Sequence, residues 1–303
     1  LIYTLKPLLV VIVGPTAVGK TELCIRLAKR FDTEILSGDS RQFYREMNIG
    51  TAKPPSEEMQ GVVHHFINNR SITENYTVAD YEKEVIDTLD KLFHTKKIAI
   101  LTGGSGLFIK AVCEGLDEMP ETEPEIREKL QIELESKGLP YLFEQLQKLD
   151  PDYAIKVDSQ NPQRVMRALE VCLSTGLPYS SFRTGIKAVR PFRILKIGLN
   201  RERQELYNRI DQRMDMMLKN GLIEEAKALL AFKDHNALQT VGYQEVFEWL
   251  DEKYDFEEMT RLLKRNSRRY AKRQLTWFNR DTDIEWFHPD NFEGIVNTIQ
   301  SAL

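Results

Sequence analysis

Val10-Val11-Ile12-Val13-Gly14-Pro15-Thr16-Ala17-Val18-Gly19-Lys20-Thr21 decides the fold. It reads as a buried β-run, a tight glycine loop and the opening of a helix at Thr21-Glu22-Leu23. Gly14 through Thr21 fits the pattern G-x-x-x-x-G-K-[ST], the phosphate-cradling loop. Glycines let successive backbone N–H groups turn inward as an anion nest, and the following helix adds its positive N-terminal end. Lys20 supplies a mobile cation and Thr21 a hydroxyl for Mg2+. An apolar run before the loop, with Leu23, Ile25, Leu27 and Ala28 after it, sets it apart from a chance match in a glycine turn. The loop alone does not say whether its phosphate is hydrolysed, transferred or expelled.

On its carboxyl-terminal side, Glu34-Ile35-Leu36-Ser37 is a short β-like run ending in Gly38-Asp39-Ser40. Asp39 therefore falls just beyond the carboxyl end of a strand, where open α/β sheets place ligands. Asn48 to Pro55 carries too many breakers for an element and is expected as a surface loop. Thr77–Leu92 has helical spacing at Val78, Tyr81, Val85, Leu89 and Leu92, with Thr77 and Asp80 as a capping start. Ile98-Ala99-Ile100-Leu101 is a second buried strand running into Thr102-Gly103-Gly104-Ser105, and a helix is expected from Leu107. This alternation predicts a P-loop-type parallel sheet flanked by helices. Near Leu116 the texture changes. Glu118–Glu125 contains Pro120 and Pro124, and helical spacing follows over 125–137, 139–149 and 162–175. Phe192 to Leu199 returns to strand character, and helices are expected over 201–219, 221–231, 242–253 and 255–278. The expected organisation is a catalytic core of 1–117 and 191–303 with a helical insertion at 118–190.

At 303 residues, with 42% hydrophobic and 29% charged residues, the chain has the composition of an ordinary globular protein. Its net charge of −4 argues against wholesale coating of nucleic acid, but the distribution is uneven. Residues 117–160 hold twelve Asp/Glu against five Lys/Arg, whereas 261–280 hold eight Lys/Arg and no acid. Cys24, Cys113 and Cys172 fit no C-x-x-C spacing, so a disulfide framework and a zinc site are not expected and a reducing cytoplasm is. The run Leu8–Val13 is too short to span a membrane and no cleavage site follows it. Leu1 in place of an initiator Met suggests that the chain starts slightly late.

The Ile98–Leu101 strand ends without the carboxylate that nucleotide-hydrolysing relatives of this loop use to help hold Mg2+, which lowers the ATPase reading and leaves small-molecule kinases open. Asp39 is the one carboxylate that element order brings to the loop. It reads as a general base or water-mediated metal ligand, or as a turn aspartate capping the next segment. His64-His65 lacks further ligands at metal spacing and reads as ordinary loop. Arg261, Lys264, Arg265, Arg268, Arg269, Lys272 and Arg273, with Tyr270, Trp277 and Phe278 interleaved, form a helix that could track a phosphate backbone or pair with acids elsewhere. Arg164 and Arg167 beside Gln163 pose the same choice in the insertion.

At Gly38-Asp39-Ser40-Arg41-Gln42-Phe43-Tyr44 and Ile49-Gly50-Thr51-Ala52-Lys53-Pro54 the sequence, with its phosphate loop, closely resembles the bacterial tRNA dimethylallyltransferases, also called tRNA isopentenyltransferases. Gly103-Gly104-Ser105-Gly106-Leu107-Phe108, Asn161 to Glu170, Val241-Gly242-Tyr243 and Ala271 to Phe278 continue the match in order across essentially the whole chain. The resemblance implies prenyl transfer from dimethylallyl diphosphate to N6 of adenine 37 in tRNA, with Mg2+ as cofactor. It implies diphosphate binding by Gly14, Pro15, Thr16, Ala17, Val18, Gly19, Lys20 and Thr21, with Thr21 as the metal-side hydroxyl. Thr16 would touch the leaving oxygen and Asp39 would take the amine proton. The tRNA contacts it implies fall on Asp39, Ser40, Arg41, Gln42, Ser105, Arg127, Gln163, Arg164, Val165, Met166 and Arg167. Arg268, Lys272 and Arg273 would grip the anticodon stem. A monomer with no membrane association is expected. Ser105 stands where relatives have Thr and keeps the hydroxyl, whereas Phe108 replaces a frequent Tyr. No Cys/His set matches the zinc finger that eukaryotic relatives append. Transfer to free adenine nucleotides and a P-loop small-molecule kinase are the competing readings.

Overall fold

The computed structural model describes residues 6–303; the start of the chain at Leu1 lies outside them. One all-parallel sheet contains β1 (Leu8–Val13), β2 (Ile35–Ser37), β3 (His64–His65), β4 (Ile98–Gly103), β5 (Arg193–Leu199) and β6 (Ile284–Phe287). Their order across the sheet is β3-β2-β4-β1-β5-β6. β1 is central, with Val10 opposite Ile100 of β4 on one side and Leu195 of β5 on the other. A strand paired on both edges and covered on both faces must be apolar throughout, which is why its six residues do not alternate. Leu8, Val10 and Ile12 pack with Leu23 and Leu27 of helix Lys20–Phe31, while Leu9, Val11 and Val13 pack with Tyr81, Val85 and Leu89 of helix Val78–Phe93. That second helix starts as its sequence requires: the Thr77 N–H donates to the Asp80 carboxylate at 2.9 Å and the Asp80 N–H donates to the Thr77 hydroxyl at 3.2 Å. The chain leaves β1 for β2 on one side of the sheet and later reaches β5 on the other. The carboxyl end of β1 is therefore a topological switch point, the usual place for a ligand in such sheets.

Helices Arg203–Lys219, Leu222–Ala228, Tyr243–Leu250 and Phe256–Phe278 build a further core from Met214, Met217, Leu222, Tyr243, Phe247, Met259 and Leu263. Residues Gly115–Ala188 form a second compact unit. Its long helical stretch Pro124–Leu149 bends at Gly138, which has φ 81°, two residues ahead of Pro140. Leu130, Leu142, Leu146, Tyr153, Val165 and Leu169 close its own small core.

Three expectations change. His64-His65 is not loop but the edge strand β3, paired with Ile35 and Leu36 of β2. Two residues are too few to show a strand period. His65 Nε2 lies 2.6 Å from a Glu34 carboxylate oxygen. Residues beyond 278 add β6 and helix Phe292–Ser301, capped by Asn291, to a region read as helical only up to that point. Asn48 to Pro55 is irregular but not simply superficial. A Glu225 carboxylate accepts the N–H groups of Asn48, Ile49 and Gly50 at 2.9–3.0 Å, and Tyr243 donates its hydroxyl to the same carboxylate at 2.5 Å.

Candidate active site

The phosphate loop takes its shape from three positive φ angles, 151° at Gly14, 63° at Ala17 and 111° at Gly19. A side chain at Gly14 would also place its Cβ 2.6 Å from the Leu199 carbonyl of β5, so that position admits only glycine. Lys20 reaches back along the loop and donates to the carbonyls of Gly14 and Pro15, each at 2.8 Å. Arg209 donates to the Ala17 carbonyl and Arg201 to the Val18 carbonyl, both at 2.9 Å. These contacts hold the shape of the loop, and loop N–H groups not used within the protein are what an anion nest offers.

This loop forms one wall of a cavity of about 480 Å3. Thr16 to Thr21, Asp39, Arg41, Gln42, Gly50 to Ala52, Glu58, Arg209, Arg213, Thr240 to Gly242, Tyr270 and Gln274 contribute to its lining. Burial pulls the Lys20 ammonium down to about 8, opposed by the nearby Asp39 carboxylate. Burial likewise lowers the Arg213 guanidinium, again with Asp39 opposing. The Arg213 Nε is sheltered from solvent and has no hydrogen-bond partner among the described residues. A buried donor without an acceptor costs free energy unless a ligand supplies one. Two half-buried cations beside backbone N–H groups make this a site for a strongly anionic group.

Asp39 caps its turn and also lines the cavity. One carboxylate oxygen accepts the Arg41 N–H at 3.0 Å, and the residue lies within the field of Lys20 and Arg213. Its loop is pinned from β4: Gly38 donates its N–H to the Thr102 carbonyl at 2.6 Å, and the Ser40 N–H donates to the Ser105 hydroxyl at 3.0 Å, which contacts the Ser40 hydroxyl at 3.1 Å. Ser105 is thereby engaged in holding the Asp39 turn. Behind it, Tyr81 donates to the Ser37 carbonyl at 2.9 Å, and Phe108 packs at a tilt against Phe43 and Tyr81 at ring separations of 5.5 and 5.1 Å. The ring, not a hydroxyl, is what position 108 contributes. Arg41 donates to the Asn236 carbonyl at 3.0 Å and Gln42 to the Thr51 carbonyl at 3.4 Å.

The other expected residues divide. In the unit Gly115–Ala188, Gln163 and Arg164 are exposed on the first turn of helix Pro162–Thr175, but the Val165 and Met166 side chains are buried in its core. Arg127 and Arg167 both approach the buried Glu170 carboxylate, at 3.6 and 3.2 Å. On helix Phe256–Phe278, Lys272 and Arg273 are exposed, whereas Arg268 is held by both oxygens of Asp211 at 2.5 and 2.7 Å. Lys264 pairs with Asp215 at 2.6 Å and Arg261 with Glu258. The acids that meet this helix thus come from a neighbouring helix and its own first turn. Arg201, Arg209, Arg213, Gln274 and Glu225 were not singled out from the sequence. Arg209 and Arg213 carried a usable signal, two cations at i, i+4 on the helix that follows β5.

A phosphate loop at the switch point of a parallel sheet, with a carboxylate and two half-buried cations sharing its cavity, defines an anion-handling P-loop enzyme. A sequence model of the family IPP transferase matches residues 42–281. A tRNA dimethylallyltransferase of Cytophaga hutchinsonii is 51% identical over 97% of both chains, and tRNA dimethylallyltransferase 1 of Bacteroides fragilis is 46% identical over 97% of this chain and 98% of its own. Among solved structures, the tRNA isopentenylpyrophosphate transferase of Bacillus halodurans superposes with a TM-score of 0.73 at 39% identity, covering 98% of this chain and 96% of that one. A eukaryotic dimethylallyltransferase acting on tRNA superposes with a TM-score of 0.80 at 29% identity, covering 94% of this chain and 74% of that one. The chain belongs to the IPP transferase family and is a prenyltransferase.

Proposed function

We propose that this chain transfers the dimethylallyl group of dimethylallyl diphosphate to N6 of adenine 37 in tRNA, beside the anticodon, and releases diphosphate. The observation that carries the reading is the cavity itself, in which Lys20 and Arg213, whose Nε has no hydrogen-bond partner among the described residues, share one space with Asp39. The prenyl C1–O bond breaks and its electron pair leaves on the diphosphate. The nest, Lys20 and Arg213 stabilise that charge where it grows, and the Thr16 hydroxyl donates to the leaving oxygen. The adenine N6 attacks C1, and Asp39 accepts the proton that N6 loses. An exocyclic amine is a poor nucleophile, so a placed base is worth a factor of about 10²–10⁴. An adenine stacked in an anticodon loop cannot present N6, so the base is extruded toward the cavity.

Mg2+ fits the donor set. This ion keeps several waters and takes one or two protein oxygens plus phosphate oxygens, rather than a cage of carboxylates. Thr21 and the diphosphate would hold it, and it would neutralise charge on the leaving group. Ser40, Arg41 and Gln42, the Arg127–Arg167 group of the second unit, and exposed Lys272 and Arg273 are the proposed tRNA contacts, and single-stranded loop readout is the expected mode. The second unit is proposed to contact the anticodon loop. No helix among the described residues is long and apolar enough to cross a membrane, and a cytoplasmic monomer fits the reading.

The test is to incubate the protein with unmodified tRNA, Mg2+ and labelled dimethylallyl diphosphate, digest the RNA and weigh the nucleosides. Prenylated adenosine from position 37 is the expected product. Label on free AMP would favour the nucleotide-modifying alternative. ATP turnover with dimethylallyl diphosphate untouched would favour a kinase.

A further inference from the structure

Thr16, the residue assigned to the leaving oxygen, is held by a side chain 258 positions away. Its backbone N–H donates to the Gln274 carboxamide oxygen at 2.8 Å. The same carboxamide donates from Nε2 to the Gly104 carbonyl at 3.1 Å, at the end of β4. Gln274 is 6% exposed and lines the cavity. The two contacts fix each other. Because Nε2 must face the Gly104 carbonyl, the oxygen must face Thr16, and the amide has no alternative orientation that satisfies both. Gly104 has no side chain, and a Cβ there would overlap Gln274 Nε2. The absence of a side chain at Gly104 is thus explained by the carboxamide that occupies its place.

We infer that Gln274 is a positioning residue of the transfer reaction, a clamp between the phosphate loop and the β4 end that sets where the Thr16 hydroxyl points. The inference rests on the diphosphate reading of the loop. Gln274 touches no reacting atom in this scheme. It spends the Thr16 N–H on itself, so that N–H is withheld from the anion nest and the residue's remaining polar contact with substrate is its hydroxyl. Loss of the clamp frees the first residue after the Gly14-Pro15 turn to shift. A misplacement of about an ångström costs on the order of 10²-fold in rate.

The experiment compares steady-state prenyl transfer to tRNA by the wild-type chain and by Gln274→Met, Gln274→Glu, Gln274→Ala, Gly104→Ala and the Gly104→Ala/Gln274→Ala double variant, with thermal melts on each. Gln274→Met is expected to lower kcat about 10- to 100-fold, with the KM for tRNA unchanged. Gln274→Glu should recover relative to Gln274→Met as pH falls, because only the protonated acid can both donate to Gly104 and accept from Thr16. Gly104→Ala should impair the wild-type background and cost nothing further once Gln274→Ala has cleared the space. A folded Gln274→Met variant with undiminished kcat would overturn the clamp, as would additive losses in the double variant. Equal pH profiles for Gln274→Glu and Gln274→Met would overturn it too, and this comparison serves even if Met lowers the melting temperature. Failure is separable from failure of the function itself: a wild-type chain that modifies no tRNA overturns the transfer reading and the clamp with it, whereas active wild type with unaffected variants overturns the clamp alone.

Discussion

Around the phosphate loop, Lys20, Arg201, Arg209 and Gln274 are each tied to loop backbone groups, and most of these ties join residues more than 180 positions apart. In the unit Gly115–Ala188, by contrast, Arg127 and Arg164 are exposed, and Arg127 and Arg167 share one buried counter-charge on the same small fold. The first arrangement fixes a geometry before substrate arrives. The second presents charges that can conform to a flexible polyanion. Chemistry at a single bond needs the first, since its groups must already point at charge that exists only in the transition state. RNA recognition tolerates the second, because phosphate contacts orient a partner without reading a single atom.

The sharpest way to break this contrast lies at Asp39. Asp39→Asn keeps an oxygen for the Arg41 N–H and so preserves the turn, while removing the base. Transfer should fall by a factor of about 10²–10⁴ with tRNA affinity retained. Transfer at the parental rate would leave Asp39 with its capping role alone. Single-turnover rates with saturating tRNA give the answer.

Arg213 and Lys20 come next. Arg213→Met should raise the KM for dimethylallyl diphosphate and lower kcat/KM about 10- to 100-fold, the value of a charge-assisted hydrogen bond in a sheltered site. Lys20 also makes diphosphate binding pH-dependent with a definite sign. Burial lowers the Lys20 ammonium to about 8 in the free enzyme. Diphosphate favours the charged form, so binding takes up a proton above that pH and affinity should weaken as pH rises through it. Stability runs the opposite way for this group. Between about 8 and 10.5 the unfolded chain binds more protons than the folded one, so the free protein gains stability as pH rises through that window. Isothermal titration of diphosphate between pH 7 and 9.5, beside melts of the free protein, checks both directions. A flat binding curve would mean that Lys20 does not meet the anion.

In the second unit, Glu170→Gln removes the counter-charge while keeping the shape. Arg127 and Arg167 lose the group that positions them, and kcat/KM for tRNA should drop by about tenfold with the KM for dimethylallyl diphosphate unmoved. An equal loss with both substrates would show that the two units do not divide the labour in this way.

The core of this design was legible because it is local. A six-residue apolar run, a glycine loop and a helix start occupy neighbouring positions, and Thr77 with Asp80 announces its helix within four residues. The β2 turn and Asp39 were equally plain, since strand ends and turn residues are neighbours in sequence. What escaped notice is non-local. Gln274 meets Thr16 across 258 positions, and Glu225 gathers Asn48 to Gly50 from a distant helix. No spacing rule links such residues, so only the fold brings them together. The motif match carried Val165 and Met166 into the tRNA set, yet they sit on the apolar face that helical spacing alone assigns to a core. Arg268 shows the limit of reading charge from composition, because the acids that answer it lie on another helix.

The smallest expected effect separates the two behaviours within one helix. Arg268 and Lys272 are four residues apart on Phe256–Phe278, and both belong to the basic run expected to grip RNA. Arg268 is already neutralised by both oxygens of Asp211, whereas Lys272 is exposed. A cation that binds a phosphate releases a counterion, so removing it should lower the slope of log K against log salt by about one. Lys272→Ala should do this and weaken tRNA binding a few-fold at low salt. Arg268→Ala removes no free charge and leaves Asp211 unpaired, so its cost should appear in the melting temperature, with the salt slope unchanged. A reduced slope for Arg268→Ala would mean that the Asp211 pair opens to RNA, and the helix would then present its whole basic face rather than its exposed edge. Filter binding of unmodified tRNA from about 50 to 200 mM salt, the range over which phosphate contacts dominate affinity, distinguishes the two.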